Sequence, residues 1–137
     1  MQRCMQVALS AAQLEGRHID YVNGHLTATS ADPKEVENVS AALNATPQSF
    51  PWLNSTKSMI GHSLGASGAI ESVATVIQMH KGFVHPSLNT EDLHPAIEPL
   101  RKRIPQESIE ADIATAMKVS FGFGDVNACV IFKKWAA

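Results

Sequence analysis

Apolar positions recur along this chain with two different periods, and the change of period marks its elements. Met1, Met5, Ala8, Leu9 and Ala12 fall at helical spacing, with Gly16 placed where such a helix would end. A short strand is predicted over Ile19 to Val22, followed by the polar loop Asn23-Gly24-His25-Leu26-Thr27-Ala28-Thr29 at its carboxyl end. Asp32, Pro33 and Glu35 form a helix start, with Asp32 as N-cap, Pro33 in the first helical position and Glu35 close to a capping box. Val36, Val39 and Leu43 supply that helix's buried stripe.

Trp52-Leu53-Asn54 reads as a second short strand, and Ser55 to Gly61 as a polar connection. From Ser63 to about Met79 the pattern is helical again. Ile70, Val73, Ala74 and Ile77 make one face, and the small residues Gly65, Ala69 and Ser72 make another, which predicts a central helix buried on several sides. Lys81-Gly82 stops it. Phe83 to Glu110 is broken up by Pro86, Pro95, Pro99 and Pro105 and is expected to be mostly irregular. Ala114 to Phe121 and Val126 to Trp135 alternate as strands around Gly122-Phe123-Gly124-Asp125, so a terminal hairpin is expected. Strands alternating with helices and then a hairpin define an α/β unit in which a mixed sheet is packed with helices. Chemistry is expected at the carboxyl ends of its strands.

Composition narrows the picture. The 137 residues are 45% hydrophobic and 18% charged, enough for one core and one domain over 1–137. A net charge of -2 without a dense basic cluster gives no footprint for nucleic acid or an anionic membrane, and no apolar run approaches the roughly 20 residues of a membrane span. A cytoplasmic setting is expected. The two cysteines, Cys4 and Cys129, fall in a helix and a strand and read as core residues, since neither lies on the strand-to-helix turn that activates a nucleophilic thiol. His18, His80, His85 and His94 read as ordinary surface or core residues.

Three segments carry candidate chemistry: Asn23 to Thr29; Asn54-Ser55-Thr56-Lys57-Ser58-Met59-Ile60-Gly61-His62-Ser63-Leu64-Gly65 with the small-residue helix after it; and Val119-Ser120-Phe121-Gly122-Phe123-Gly124-Asp125-Val126-Asn127. In this order they resemble the carboxyl-terminal half of the elongating β-ketoacyl-acyl-carrier-protein synthases of the thiolase superfamily. The resemblance implies a thiolase-like half-domain and a decarboxylative condensation of malonyl thioester with an acyl-enzyme, in fatty-acid or polyketide synthesis.

It further implies His25 and His62 as the catalytic histidines, with Lys57 setting their charge and Glu71 as the buried partner of that lysine. Thr27 and Thr29 would contact the phosphopantetheine arm of the substrate, and Phe123 would supply one N-H of an oxyanion hole while its ring gates the acyl pocket. Phe121 is read as core. No metal or redox cofactor is implied. The implied partners are acyl carrier protein, the amino-terminal half of the synthase with its cysteine, and a second copy in a homodimer. Without that half, the chain is expected to be inactive and to leave a hydrophobic face or sheet edge uncovered.

Two other readings stay open. A chain-length-factor-like, non-catalytic partner subunit keeps this fold without the cysteine. Gly61-His62-Ser63-Leu64-Gly65 also matches the G-x-S-x-G nucleophile elbow, which would make Ser63 a hydrolase nucleophile if an apolar strand ran into it.

Overall fold

A computed structural model describes residues 1–135. Helix α1 (Gln2–Ala11) leads through a 3-10 turn (Gly16–His18) into strand β1 (Tyr21–Asn23). Helix α2 (Asp32–Leu43), strand β2 (Trp52–Asn54), the one-turn helix α3 (Lys57–Ile60) and helix α4 (Ser67–Lys81) follow. After the short strands β3 (Phe83–Val84) and β4 (Ile109–Glu110), the chain ends in a hairpin of β5 (Thr115–Gly122) and β6 (Val126–Lys133). The main sheet has the order β2-β1-β5-β6, with β1 parallel to both neighbours and β6 antiparallel to β5. A second, two-stranded sheet pairs β3 with β4.

Side chains alternate across a strand, so register decides what each face holds. Val22, Leu53 and Met117 lie in one row and, with Val119 and Phe121, face α1 and α2, where Met5, Leu9, Val36, Val39 and Leu43 complete the larger core. Each such side chain, once buried, contributes about 1.5–3 kcal/mol. The opposite face carries Tyr21 and Ala116 against Met79, Val84 and Ile113. Beyond them, at the carboxyl ends of the strands, Asn54, Asn23 and Lys118 form one buried polar row.

Helix α4, expected to be buried on several sides, is buried on one side alone. Ile70, Val73 and Ile77, expected inside, are 41%, 59% and 49% exposed, whereas Ser67, Glu71, Thr75, Gln78 and Met79 are buried. Its polar face is drawn in by partners on the sheet, and its apolar stripe is left open. Met59, Ile60 and Leu64, in the segment before α4, are exposed as well.

Smaller differences have local causes. The first helix stops at Ala11, before Gly16, and Gln13 takes the left-handed conformation. Gly16 serves close approach instead: a Cβ there would lie 2.2 Å from the Leu43 carbonyl oxygen, so the turn packs directly on the end of α2. The first strand runs over Tyr21–Asn23, not Ile19 to Val22, and Lys57–Ile60 forms a helical turn where an irregular connection was expected. Asn44 and Gly82 end α2 and α4 in left-handed conformations.

Candidate active site

The loop after β1 is shaped by the two acidic residues expected to cap α2. Neither caps its own helix, because α2 starts at Asp32 with Ala31 as its N-cap. The Asp32 carboxylate instead accepts the backbone N-H groups of Thr27 (3.1 Å), Ala28 (3.0 Å) and Thr29 (3.3 Å). Glu35 reaches further back and accepts from the N-H of His25 at 2.6 Å and of Leu26 at 3.0 Å. Gly24 leaves room for this: a Cβ there would lie 3.0 Å from Glu35 Oε1 and 2.9 Å from Leu26 Cγ. Burial pushes the Glu35 carboxyl up to about 7 despite those two hydrogen bonds.

His25, delivered by this loop, meets His62 edge to face, with ring centroids 5.3 Å apart and planes at 83°. The Phe121 ring stands edge-on to His25 at 6.3 Å from the core side. His62 Nδ1 accepts the backbone N-H of Leu64 at 3.0 Å and lies 2.9 Å from the Ser67 hydroxyl. With Nδ1 an acceptor, the ring N-H sits on Nε2 and is free to donate. His25 Nδ1 is buried and makes no hydrogen bond with the described residues. Burial first, then the Lys57 and Lys118 ammoniums and His62, hold the His25 imidazole down at about 4, so at neutral pH it is uncharged.

Behind the histidines lies an ion cluster. Lys57 Nζ is 2.5 Å from Glu71 Oε1, and Lys118 Nζ is 2.7 Å from Glu71 Oε2, with all three side chains 5% exposed or less. Asn23, two residues before His25, hydrogen-bonds through Nδ2 to the Thr56 hydroxyl (2.9 Å) and to the Tyr21 hydroxyl (2.8 Å). The Tyr21 hydroxyl donates to Asn54 Oδ1 at 2.5 Å and accepts from Gln78 Nε2 at 3.1 Å. Burial pushes this phenol up to about 12, so it stays a neutral donor. His85 Nδ1 lies 2.8 Å from the Pro86 carbonyl and its Nε2 lies 3.1 Å from the Thr56 hydroxyl, which makes Nδ1 the donor and Nε2 the acceptor. Its core placement agrees with the ordinary reading given to it. The network anchors the residue immediately before Lys57.

The structure thus brings His25, His62, Lys57 and Glu71 together. Thr27 and Thr29 share an exposed hydroxyl contact of 3.2 Å on the His25 loop. Phe123 sits at the tip of the hairpin, fully exposed, between Gly122 and Gly124. Lys118, Glu35 and Ser67 are the site residues that sequence reasoning missed. The one signal available for Lys118 was a lysine inside an otherwise apolar strand pattern. The strand required for a nucleophile elbow is absent at Ser63: β2 ends at Asn54, and α3 lies between them. Burial pushes the Cys129 thiol up to about 12, the opposite of activation.

The His25 environment has a consequence for stability. The unfolded chain protonates this imidazole near 6.5 and the folded chain near 4, so between those values the unfolded state binds more protons. Stability contributed by His25 is complete above 6.5 and lost as pH falls through 4. A His25→Gln variant is expected to lose less stability than the parent between pH 7 and pH 4.5. Urea midpoints at the two pH values measure the difference, and parallel losses would refute it.

The α/β unit thus carries two facing histidines and a buried lysine-glutamate cluster at the carboxyl ends of its strands. Residues 1–91 match the family "Beta-ketoacyl synthase, C-terminal domain", and the chain belongs to that family. It is 40% identical over 130 residues to the chloroplastic 3-oxoacyl-[acyl-carrier-protein] synthase II of Arabidopsis thaliana, covering 94% of this chain and 24% of that protein. It is 38% identical to 3-oxoacyl-[acyl-carrier-protein] synthase 1 of Haemophilus influenzae, covering 98% and 32%. The chain therefore spans a third or less of the length of these relatives.

Among solved structures, a β-ketoacyl synthase from Burkholderia phymatum superposes with a TM-score of 0.89 at 34% identity, covering 98% of this chain and 32% of that one. A type II polyketide ketosynthase in complex with its acyl-carrier protein superposes at 0.88 and 31% identity, covering 98% and 33%. The fold is that of the carboxyl-terminal part of a thiolase-like ketosynthase.

Proposed function

We propose that this chain supplies the histidine half of a β-ketoacyl-acyl-carrier-protein synthase that condenses malonyl thioester with an acyl-enzyme. The observation that carries this reading is the pair of imidazoles 5.3 Å apart, His25 held uncharged and His62 with its N-H fixed on Nε2. The malonyl thioester oxygen would lie between the two rings. Cleavage of the carboxylate carbon bond releases carbon dioxide and leaves its electron pair as an enolate, whose oxygen the two N-H donors stabilise. The enolate carbon then attacks the acyl carbonyl, forms the new carbon-carbon bond and expels a cysteine thiolate. Fixed donors aimed at a developing oxyanion in a dry site are among the largest catalytic effects available to a protein.

The nucleophile belongs to the amino-terminal half of the synthase, because Cys4 lies in α1 and Cys129 in β6. The open face of α4, with Ile70, Val73 and Ile77, is the surface on which that half would pack. Acyl carrier protein delivers both substrates, Thr27 and Thr29 contact the phosphopantetheine arm, and Phe123 lines the acyl entrance and gives its N-H to the oxyanion hole. The reaction uses no metal or redox cofactor, and the complete synthase works as a homodimer.

Incubating the complete protein with acyl- and malonyl-carrier protein tests this directly. The expected product is the β-ketoacyl thioester with one carbon dioxide released per turnover, while the purified 137-residue chain alone yields none. Absence of product from a protein that carries the cysteine, or product from this chain alone, would refute the reading.

A further inference from the structure

One carboxylate can neutralise one lysine, yet Glu71 meets two. It offers Oε1 to Lys57 from α3 and Oε2 to Lys118 from β5, while 1% exposed itself. Lys118 also donates to the Val119 carbonyl and to the Ser120 hydroxyl at 3.0 Å. Its Nζ therefore makes two hydrogen bonds besides its ion pair with Glu71. With both lysines charged, the cluster holds one positive charge in excess. Burying an unneutralised charge is costly, so its presence calls for a compensating role. Lys118 is in register with Asn23 on β1, and the chain reaches His25 two residues later. Phe121, three residues along the same strand, touches the His25 ring.

Resting on the ketosynthase reading of this site, we propose that Lys118 is a second cationic positioning residue, sharing Glu71 with Lys57 so that the buried cluster keeps a net positive charge beside the catalytic histidines. That charge opposes protonation of His25 and favours the negative charge that develops on the enolate oxygen. The charged and titratable groups around His25 are Lys57 from α3, Lys118 from β5, His62 from the loop before α4, Glu71 from α4, and Glu35 and Asp32 from α2. Burial lowers the Lys118 ammonium from its ordinary range, and Glu71 works against that.

In the complete synthase, Lys118→Met removes the charge, and Lys118→Gln removes it while keeping hydrogen-bond donors for Val119 and Ser120. Carbethoxylation of His25, followed by peptide mass spectrometry across pH, reads its protonation without requiring turnover. Both variants are expected to raise the His25 midpoint by roughly half a pH unit or more. They are also expected to lower kcat for malonyl decarboxylation about tenfold, with KM for the malonyl thioester changed less than about twofold. The double variant Glu71→Gln/Lys118→Met again leaves one cation and no anion, and should return the His25 midpoint toward that of the parent.

An unchanged midpoint in whichever single variant folds, or a double variant that fails to restore it, overturns the proposal. A shifted midpoint in a protein whose parent form does not decarboxylate malonyl thioester supports the cluster and refutes the reaction. An unchanged midpoint with normal parental decarboxylation refutes the cluster alone.

Discussion

Replacing His62 with alanine in the complete synthase is expected to slow malonyl decarboxylation roughly 100- to 1,000-fold, the usual loss for one donor of an oxyanion site. The direction follows from the hydrogen bonds of the ring. The Leu64 N-H occupies Nδ1, so the Nε2 hydrogen has no other orientation to adopt, and alanine leaves nothing in its place. His25→Ala should have an effect of the same order, since His25 is held neutral by burial and by the two lysines behind it. Transfer of the acyl group to the cysteine does not form the enolate, so it should survive in both variants. Single-turnover assays that separate acyl transfer from release of labelled carbon dioxide distinguish the two steps. Full condensation rate in either variant would disprove the assignment.

The second large effect concerns stability. Glu71→Leu leaves two ammoniums facing each other in a site from which water is excluded, and breaking a buried ion pair from one side costs about 3–5 kcal/mol. A cost near the top of that range is expected because two cations lose their partner at once. Urea unfolding of the complete synthase and its variant measures it as a shift of the transition midpoint. Replacing all three members together with apolar residues of similar volume, as Lys57→Met/Glu71→Leu/Lys118→Met, should restore much of the stability while the site stays inactive. A Glu71→Leu variant as stable as the parent would show that the lysines are not both charged in the folded protein.

The same cluster explains why the polar side of α4 is the buried one. Hydrophobic periodicity places Ile70, Val73 and Ile77 inside, and in this chain they lie outside. The helix is oriented by Glu71 toward two lysines and by Gln78 toward Tyr21 and the His85 N-H, strong polar partners that a period calculation does not weigh. Burial of this helix on several sides requires a second surface for its apolar stripe.

What the sequence determined by itself is local. The stripe of α2, the strand Trp52–Asn54, the terminal hairpin and the stop at Gly82 depend on spacing, turn residues and backbone preferences within a few positions. The resemblance singled out His25, His62 and Lys57 because each lies in a compact run of residues, and Glu71 because it lies on the helix that follows one of those runs. The tertiary structure decided what comes from separate parts of the chain. Lys118 joins the site through β1–β5 register, and Glu35 becomes the clamp of the His25 loop because α2 folds back over β1. Gly16 is required by the approach of Leu43, and His85 enters the core through Thr56. Each of these contacts depends on how strands align and helices pack, and neither propensity nor spacing along the chain carries that information.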